Sequence, residues 1–257
     1  MGWNNIAGRL GALAAAGVAA ALLGANPATA DPNALWNIVH GRCAPHELAS
    51  GDPAPCLAVD LAKGYAVLKD IRGETQVLVI PTARVTGIES PLLLAPRAPN
   101  YWQDAWVARR FVEHLAGRPL PRDDLALAVN SVDGRSQNQL HIHVDCVRPN
   151  VRDALERVQG QIGRRWGPLP VTFGGRRYMA MRLEGDDLGA RNPFKLLAEG
   201  QPAARKDMGL ETLVAVPTTF ENGRPGFILL SDRANLAAGD YGSGEVLQDH
   251  TCKVLTR

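Results

Sequence analysis

The chain has 257 residues, with 28 Lys and Arg against 26 Asp and Glu, a near balance that leaves no basic field for nucleic acid. Aromatic residues, at 5%, are too sparse and scattered to form a base-stacking platform. The length beyond residue 30 suits one large domain or two small ones.

Residues 1–30 read as an export segment. A single charge, Arg9, precedes an apolar run from Leu10 to Leu23, and Asn26-Pro27-Ala28-Thr29-Ala30 closes it with small residues at Ala28 and Ala30. This is the order of a secretory signal cleaved before Asp31. The alternative is a retained membrane anchor, for which the apolar run is short. Either reading exports residues 31–257, to the periplasm or the outer face of the cytoplasmic membrane.

Apolar spacing over Ala34–His40, behind Asp31 and Pro32, predicts a helix. Cys43 and Cys56 then bracket a loop containing Pro45, Gly51, Asp52, Pro53 and Pro55. An even number of cysteines in an exported chain predicts disulfides. Cys43 with Cys56 is the easily closed pair, which leaves Cys146 with Cys252; three pairings of four cysteines exist. Their spacing fits no zinc pattern. Tyr65–Lys69 and Gln76–Ile80 are β-rich runs joined by the turn Asp70–Glu74, a hairpin.

Asn100–Leu115 repeats apolar residues at steps of three and four, a helix ended by Pro119 and Pro121. Leu125–Val129 is a buried strand, and a polar turn from Asn130 to Ser136 leads to a strand from Gln139 to Cys146. A second helix is expected over Val151–Arg165, with strands at Thr212–Val216, Gly226–Ser231 and Val246–Leu255. Hairpins with a few helices predict an α+β fold built on an antiparallel sheet. Leu247–Cys252 faintly echoes Leu140–Cys146, and Phe227–Leu230 echoes Val77–Ile80. That suggests two halves of one fold, one active and one degenerate; the alternative is two unrelated β segments.

The chemistry concentrates on one strand. Residues two apart share a face, so Gln139, His141, His143 and Asp145 form a polar stripe opposite Leu140, Ile142 and Val144. Three readings compete: a solvated face without function, a metal site of His141, His143 and Asp145, and nucleophilic attack by histidine on phosphorus. The preceding turn favours the last, because Asn130, Ser131, Arg135, Ser136, Gln137 and Asn138 offer donors for phosphate oxygens.

Leu78-Val79-Ile80-Pro81 followed by Ser136–Val144 resembles the histidine-triad superfamily, whose motif is three alternating histidines on a strand. Tyr65–Asp70, Arg84–Pro91, Gln137–His143 and Leu247–Cys252, in this order, more closely resemble the bacterial CDP-diacylglycerol pyrophosphatase family, from about Leu35 to the C-terminus. The four cysteines fall in matching blocks.

The resemblance implies a histidine-triad-like sheet with flanking helices. It also implies hydrolysis of CDP-diacylglycerol to CMP and phosphatidate, at a membrane surface and without a cofactor. It puts the nucleophile on His141 and a phosphate contact on His143. Gln139 stands where the superfamily has its first histidine, and a register with His141 first, His143 central and Asp145 third is the alternative. Asn130, Gln137, Gln139, Lys69 and Arg84 are the candidate substrate-binding residues, although Lys69 and Arg84 also read as ordinary solvated charges. Trp102, Trp106 and the loop Ile88–Pro96 offer an apolar approach for a lipid; core packing is the preferred reading of the tryptophans. His40, His46 and His114 receive no role, and His250 is read as a structural partner in the degenerate half. The competing functions are a metal-dependent phosphodiesterase and a non-catalytic exported nucleotide- or lipid-binding module.

Overall fold

The computed structural model describes residues 31–252; the export segment and the end of the last expected strand lie outside them. The helix expected near Ala34 forms as α1 (Ala34–Ile38), passes through a π turn (Val39–Cys43) and continues as α2 (Ala44–Ser50). Asp31 fixes its start, accepting from the main-chain N–H of Asn33 at 2.9 Å and from the Asn37 amide at 3.1 Å. Cys43 is bonded to Cys56 across the proline-rich loop.

Strands β1 (Ala58–Asp60), β2 (Tyr65–Lys69) and β3 (Val77–Pro81) form a meander that includes the expected hairpin. Then come α3 (Tyr101–Leu115), β4 (Leu125–Val129), β5 (Ile142–Cys146) and α4 (Pro149–Val158). The remainder is β6 (Gly167–Phe173), β7 (Arg176–Glu184), α5 (Pro193–Gly200), α6 (Pro202–Lys206), β8 (Glu211–Thr219) and β9 (Pro225–Arg233).

All nine strands join one antiparallel sheet in the order β1-β2-β3-β5-β4-β8-β9-β7-β6. Read outward from the β4–β8 contact, the two sides repeat one order: β4, β5, β3, β2 and β8, β9, β7, β6. The short helix α4 precedes β6 much as α1 and α2 precede the first hairpin. In this order β9 holds the place of β5, so the sequence echo between Phe227–Leu230 and Val77–Ile80 does not follow the topology.

The alternation of each strand divides the core in two. Val79, Leu127, Ile142, Val144 and Leu229 face α3 and α5, packing on Trp102, Trp106 and Phe194. On the opposite face, Ala66, Leu68, Leu78 and Ile80 pack under α1 at one end of the sheet. Ala126, Ala128, Val214 and Leu230 pack under α4 at the other. The odd-numbered side chains of β5 emerge between these two helical covers. A polar stripe at that place borders a gap in the packing.

Several expected boundaries move. β5 begins at Ile142, because the sheet pairing with β3 starts at the Val79–Ile142 step. Residues 139–141 approach the sheet without joining it. The helix expected to reach Arg165 ends at Val158, where a short 3-10 turn (Gln159–Gln161) containing Gly160 follows, and Gly163 lies just beyond it. Val246–Cys252 is no strand: a 3-10 turn (Gly244–Leu247) and a single bridge from Gln248 to Val147 replace it. β6 and β7 carry prolines and arginines that mask their pattern, and β6 tolerates Pro168 and Pro170 because it is an edge strand.

Candidate functional site

The site begins with a buried amide. Gln139 has no solvent exposure; its Nε2 donates to the main-chain oxygens of Pro81 at 2.9 Å and Ala83 at 2.8 Å, and its Oε1 accepts from the N–H of Val85 at 3.3 Å. The Leu140 N–H donates to the Val85 oxygen at 2.6 Å. The peptide after Gln139 is thereby locked against the loop leaving β3. Its carbonyl lies 2.7 Å from Nδ1 of His141. A carbonyl can only accept, so Nδ1 of His141 carries the proton and Nε2 carries the lone pair.

His143 lies beside it, ring centroids 4.7 Å apart. The Gln76 amide donates to its Nδ1 at 2.5 Å, which leaves the proton on Nε2. That Nε2 lies 3.3 Å from Oε1 of Glu245, within ion-pair distance, yet it is buried without an aligned hydrogen bond. A buried donor left incomplete at the wall of a cleft is chemically suited to an incoming anion.

Burial lowers the pKa of His141, opposed by its bond to Gln139 and by the charges of Glu245 and Asp70. Burial also holds His143 well below the ordinary histidine value, assisted by repulsion from His141, His250 and Arg72. Both imidazoles are neutral near pH 7.

Asp145, the next residue on this face, is fully buried and already engaged: it accepts from the Thr75 hydroxyl at 2.7 Å and from His250 at 2.8 Å. The bond to Asp145 raises the pKa of His250 against the opposing effect of burial. His250 is therefore a structural partner, of β5 itself. The metal reading requires His141, His143 and Asp145 to converge. Among the described residues, the one gathering of His, Cys, Asp and Glu donor atoms is Asp145 with Cys146 and Cys252. Those two sulfurs form a disulfide.

Glu245 enters from the turn after β9. A Cβ on Gly244 would sit 2.9 Å from Cγ2 of Val214 and 3.1 Å from Cβ of Ala128, so glycine there lets the turn lie directly on the sheet. Asn130 fixes it further: its Oδ1 accepts from the Gly244 N–H at 2.8 Å, and its Nδ2 donates to Glu245 Oε1 at 2.7 Å. Gln248 continues the attachment, donating to the main-chain oxygens of Ala126 and His143 at 2.8 and 3.1 Å. The Cys146–Cys252 bond holds the end of the segment.

His141, His143, Asn130 and Glu245 open into a cleft of about 390 Å³. Its walls also include Ser136 and Gln137, and the aliphatic Leu35, Ile38, Leu68 and Leu78. Of the remaining candidates, Gln137 lines the cleft but both ends of its amide are bonded to the start of the first helix, at Leu35 N–H and the Asp31 oxygen. Lys69 also lines it, with its ammonium donating to the oxygens of Asp70 and Gly73 in the hairpin turn. Arg84 is held elsewhere, bonded to Asn33 at 2.5 Å and stacked over Trp36. Arg135 is paired with both oxygens of Glu89. Trp102 and Trp106 are buried on the opposite face of the sheet, as the core-packing reading expected.

Gln76, Glu245 and Arg72 were missed from sequence. Gln76 opens a strand otherwise read for its apolar face. Glu245 is a lone carboxylate in a Gly/Ser turn, and only the sheet order brings it near β5. Arg72 sits in the hairpin turn, its guanidinium 4.0 Å from Glu245.

The family described as CDP-diacylglycerol pyrophosphatase matches residues 30–256. The chain belongs to this family. A CDP-diacylglycerol pyrophosphatase of Yersinia pestis is 43% identical over 223 residues, covering 87% of this chain and 85% of that protein. The matched span of the CDP-diacylglycerol pyrophosphatase family contains both histidines, Glu245 and all four cysteines. The two disulfides fit folding outside the cytoplasm. Among the described residues no helix is long and apolar enough to cross a membrane.

Proposed function

We propose that the cleft hydrolyses CDP-diacylglycerol to CMP and phosphatidate, with His141 as nucleophile, in the periplasm or at the outer face of the cytoplasmic membrane. The observation that carries this reading is the tether of His141 Nδ1 to the Gln139 oxygen, which leaves the lone pair on Nε2 of a neutral histidine that lines the cleft.

In the first step Nε2 attacks the phosphorus of the cytidylyl group, and the bond from that phosphorus to the bridging oxygen breaks. Phosphatidate leaves with the bridging oxygen and its electron pair. The imidazole acquires positive charge as the P–N bond forms, and the carbonyl of Gln139 already accepts the Nδ1 proton that shares this charge. The Nε2–H of His143 receives a phosphate oxygen. In the second step water attacks the same phosphorus, the P–N bond breaks, and CMP departs as His141 regains its lone pair. Glu245, positioned by Asn130, is the carboxylate at hand to accept the proton of that water.

In this scheme Asn130 and the polar wall at Ser136 and Gln137 border the nucleotide, and Gln139 positions His141 rather than touching substrate. The repeated strand order supports a finer reading of the fold: two histidine-triad-like units joined at β4 and β8, with one set of imidazoles retained.

Intact-mass measurement on enzyme quenched during turnover tests the reaction. A cytidylyl adduct is expected on the wild type and none on His141→Ala. Turnover by His141→Ala at the wild-type rate would remove the assignment.

A further inference from the structure

The substrate couples a charged nucleotide to two acyl chains, and the cleft likewise combines polar and apolar walls. It is lined by the polar His141, His143, Asn130 and Glu245 and by hydrocarbon from Leu35, Ile38, Leu68 and Leu78, with Leu78 paired directly across from His143 and Leu68 one strand farther out. In the β2–β3 turn Ile71 also borders the cleft and is 99% exposed. Single exposed apolar residues are common on proteins. This one differs in lining the same cleft as four aliphatic side chains, and in its neighbours: Lys69 and Asp70 line the cleft between Leu68 and Ile71, the Arg72 side chain is 69% exposed, and the ammonium of Lys69 braces the same turn.

A diacyl lipid does not leave a bilayer readily, because every methylene of both chains would be brought into water. Hydrolysis must therefore take place with the rim of the cleft against the lipid surface. The part of the rim that meets the surface must be on the acyl side, since the nucleotide is the water-soluble end. Of the large apolar residues lining the cleft, Ile71 in the β2–β3 turn is the one that stands exposed.

Resting on the proposed reading of the cleft as the substrate site, we infer that the Asp70–Gly73 turn docks on the lipid surface. Ile71 enters the hydrocarbon boundary, Arg72 meets anionic headgroups, and the wall of Leu35, Ile38, Leu68 and Leu78 receives the acylglycerol portion of the substrate. The apolar approach sought in Trp102 and Trp106 is supplied by this surface, on the same side of the sheet as the imidazoles.

Two measurements on the full chain test this. In the first, kcat/KM is compared for long-chain CDP-diacylglycerol in phosphatidylcholine–phosphatidylglycerol vesicles and for a short-chain analogue below its micellar concentration. Ile71→Ser should lower the ratio of the two values about tenfold, the effect of losing one buried aliphatic side chain, and Ile71→Leu should restore it. In the second, Ile71→Trp is added to the same vesicles carrying bromine-labelled acyl chains. Quenching beyond that of the wild-type tryptophans is expected. An unchanged ratio, or no extra quenching, overturns the docking assignment. A wild-type enzyme inert on both substrates would instead remove the functional reading, and the tryptophan at position 71 would still decide where the protein meets lipid.

Discussion

Oε1 of Glu245 lies 3.3 Å from Nε2 of His143, and the Asn130 amide holds the same oxygen at 2.7 Å. In the proposed scheme a carboxylate is thus fixed beside the imidazole that faces the phosphate, ready for the step in which water replaces His141. Glu245→Gln keeps the size and an acceptor for Asn130 but removes the base. A fall in kcat of about 100-fold is expected. The cytidylyl adduct should accumulate, because the second step is the one slowed. Intact mass at steady state reads this directly. A variant that slows turnover without raising adduct occupancy would transfer Glu245 to the first step.

The lowered pKa values of both histidines fix the acid limb of the rate profile. Protonation of His141 removes its lone pair, and its folded pKa lies below the ordinary value because of burial. Activity should therefore hold as the pH falls through about 6.5 and decline only below it. A kcat/KM profile that begins to drop above that point would contradict a buried neutral nucleophile.

The His250–Asp145 pair should stabilise the fold in a pH-dependent way. The folded pKa of His250 is raised, chiefly by its bond to Asp145. Its contribution is present in full below the unfolded value of about 6.5 and is lost as pH rises through the raised folded value. The difference in melting temperature between wild type and His250→Asn should be largest on the acid side and shrink as the pH rises through that window. A difference independent of pH would show that the charge on His250 contributes nothing.

The two disulfides should not be equivalent. Cys146–Cys252 spans 106 residues and Cys43–Cys56 spans 13. Chain entropy gives the long bridge the larger share, within the usual range of roughly 2–5 kcal/mol. Replacing Cys146 and Cys252 by Ser should lower the urea midpoint more than replacing Cys43 and Cys56. It should also reduce activity, since the bridge holds the end of the segment bearing Glu245.

Restoring a histidine at position 139 should not improve the enzyme. The Gln139 amide makes three hydrogen bonds to main-chain groups of Pro81, Ala83 and Val85 in a fully buried place. An imidazole supplies at most one donor and one acceptor there when neutral. Gln139→His should lose about 1–3 kcal/mol for the partner left unsatisfied, with lower turnover as the carbonyl facing His141 shifts. Chemical denaturation and steady-state kinetics on the same preparation check both.

What the sequence made legible depended on local periodicity. The β2–β3 hairpin, α3, β4 and the polar stripe at His141 and His143 follow from spacing alone, and the exported context made both disulfides foreseeable. The alternation of Gln139, His141 and His143 overstated the strand, since a pattern of two says nothing about where a partner strand stops. Gln139 keeps the alternation but satisfies loop carbonyls instead of pairing with β3. Glu245 was invisible for the opposite reason: it lies 102 positions beyond His143 with no periodic context, and only the placement of β8 and β9 beyond β4 folds it back. Arg84 looked well placed just beyond a strand end, yet the first helix captures it through Asn33 and Trp36.

The seam between β4 and β8 has one more consequence. In an assembly of identical subunits, every residue recruited for one half would recur in the other, wanted or not. Covalent joining lifts that constraint. β9 can fill its lane with Phe227, Ile228, Leu229 and Leu230, and its trailing turn can donate a carboxylate to the opposite half without a reciprocal copy. The two sides of the sheet are thus free to differ, with imidazoles at β5 and hydrocarbon on β9, and no dilution can part them.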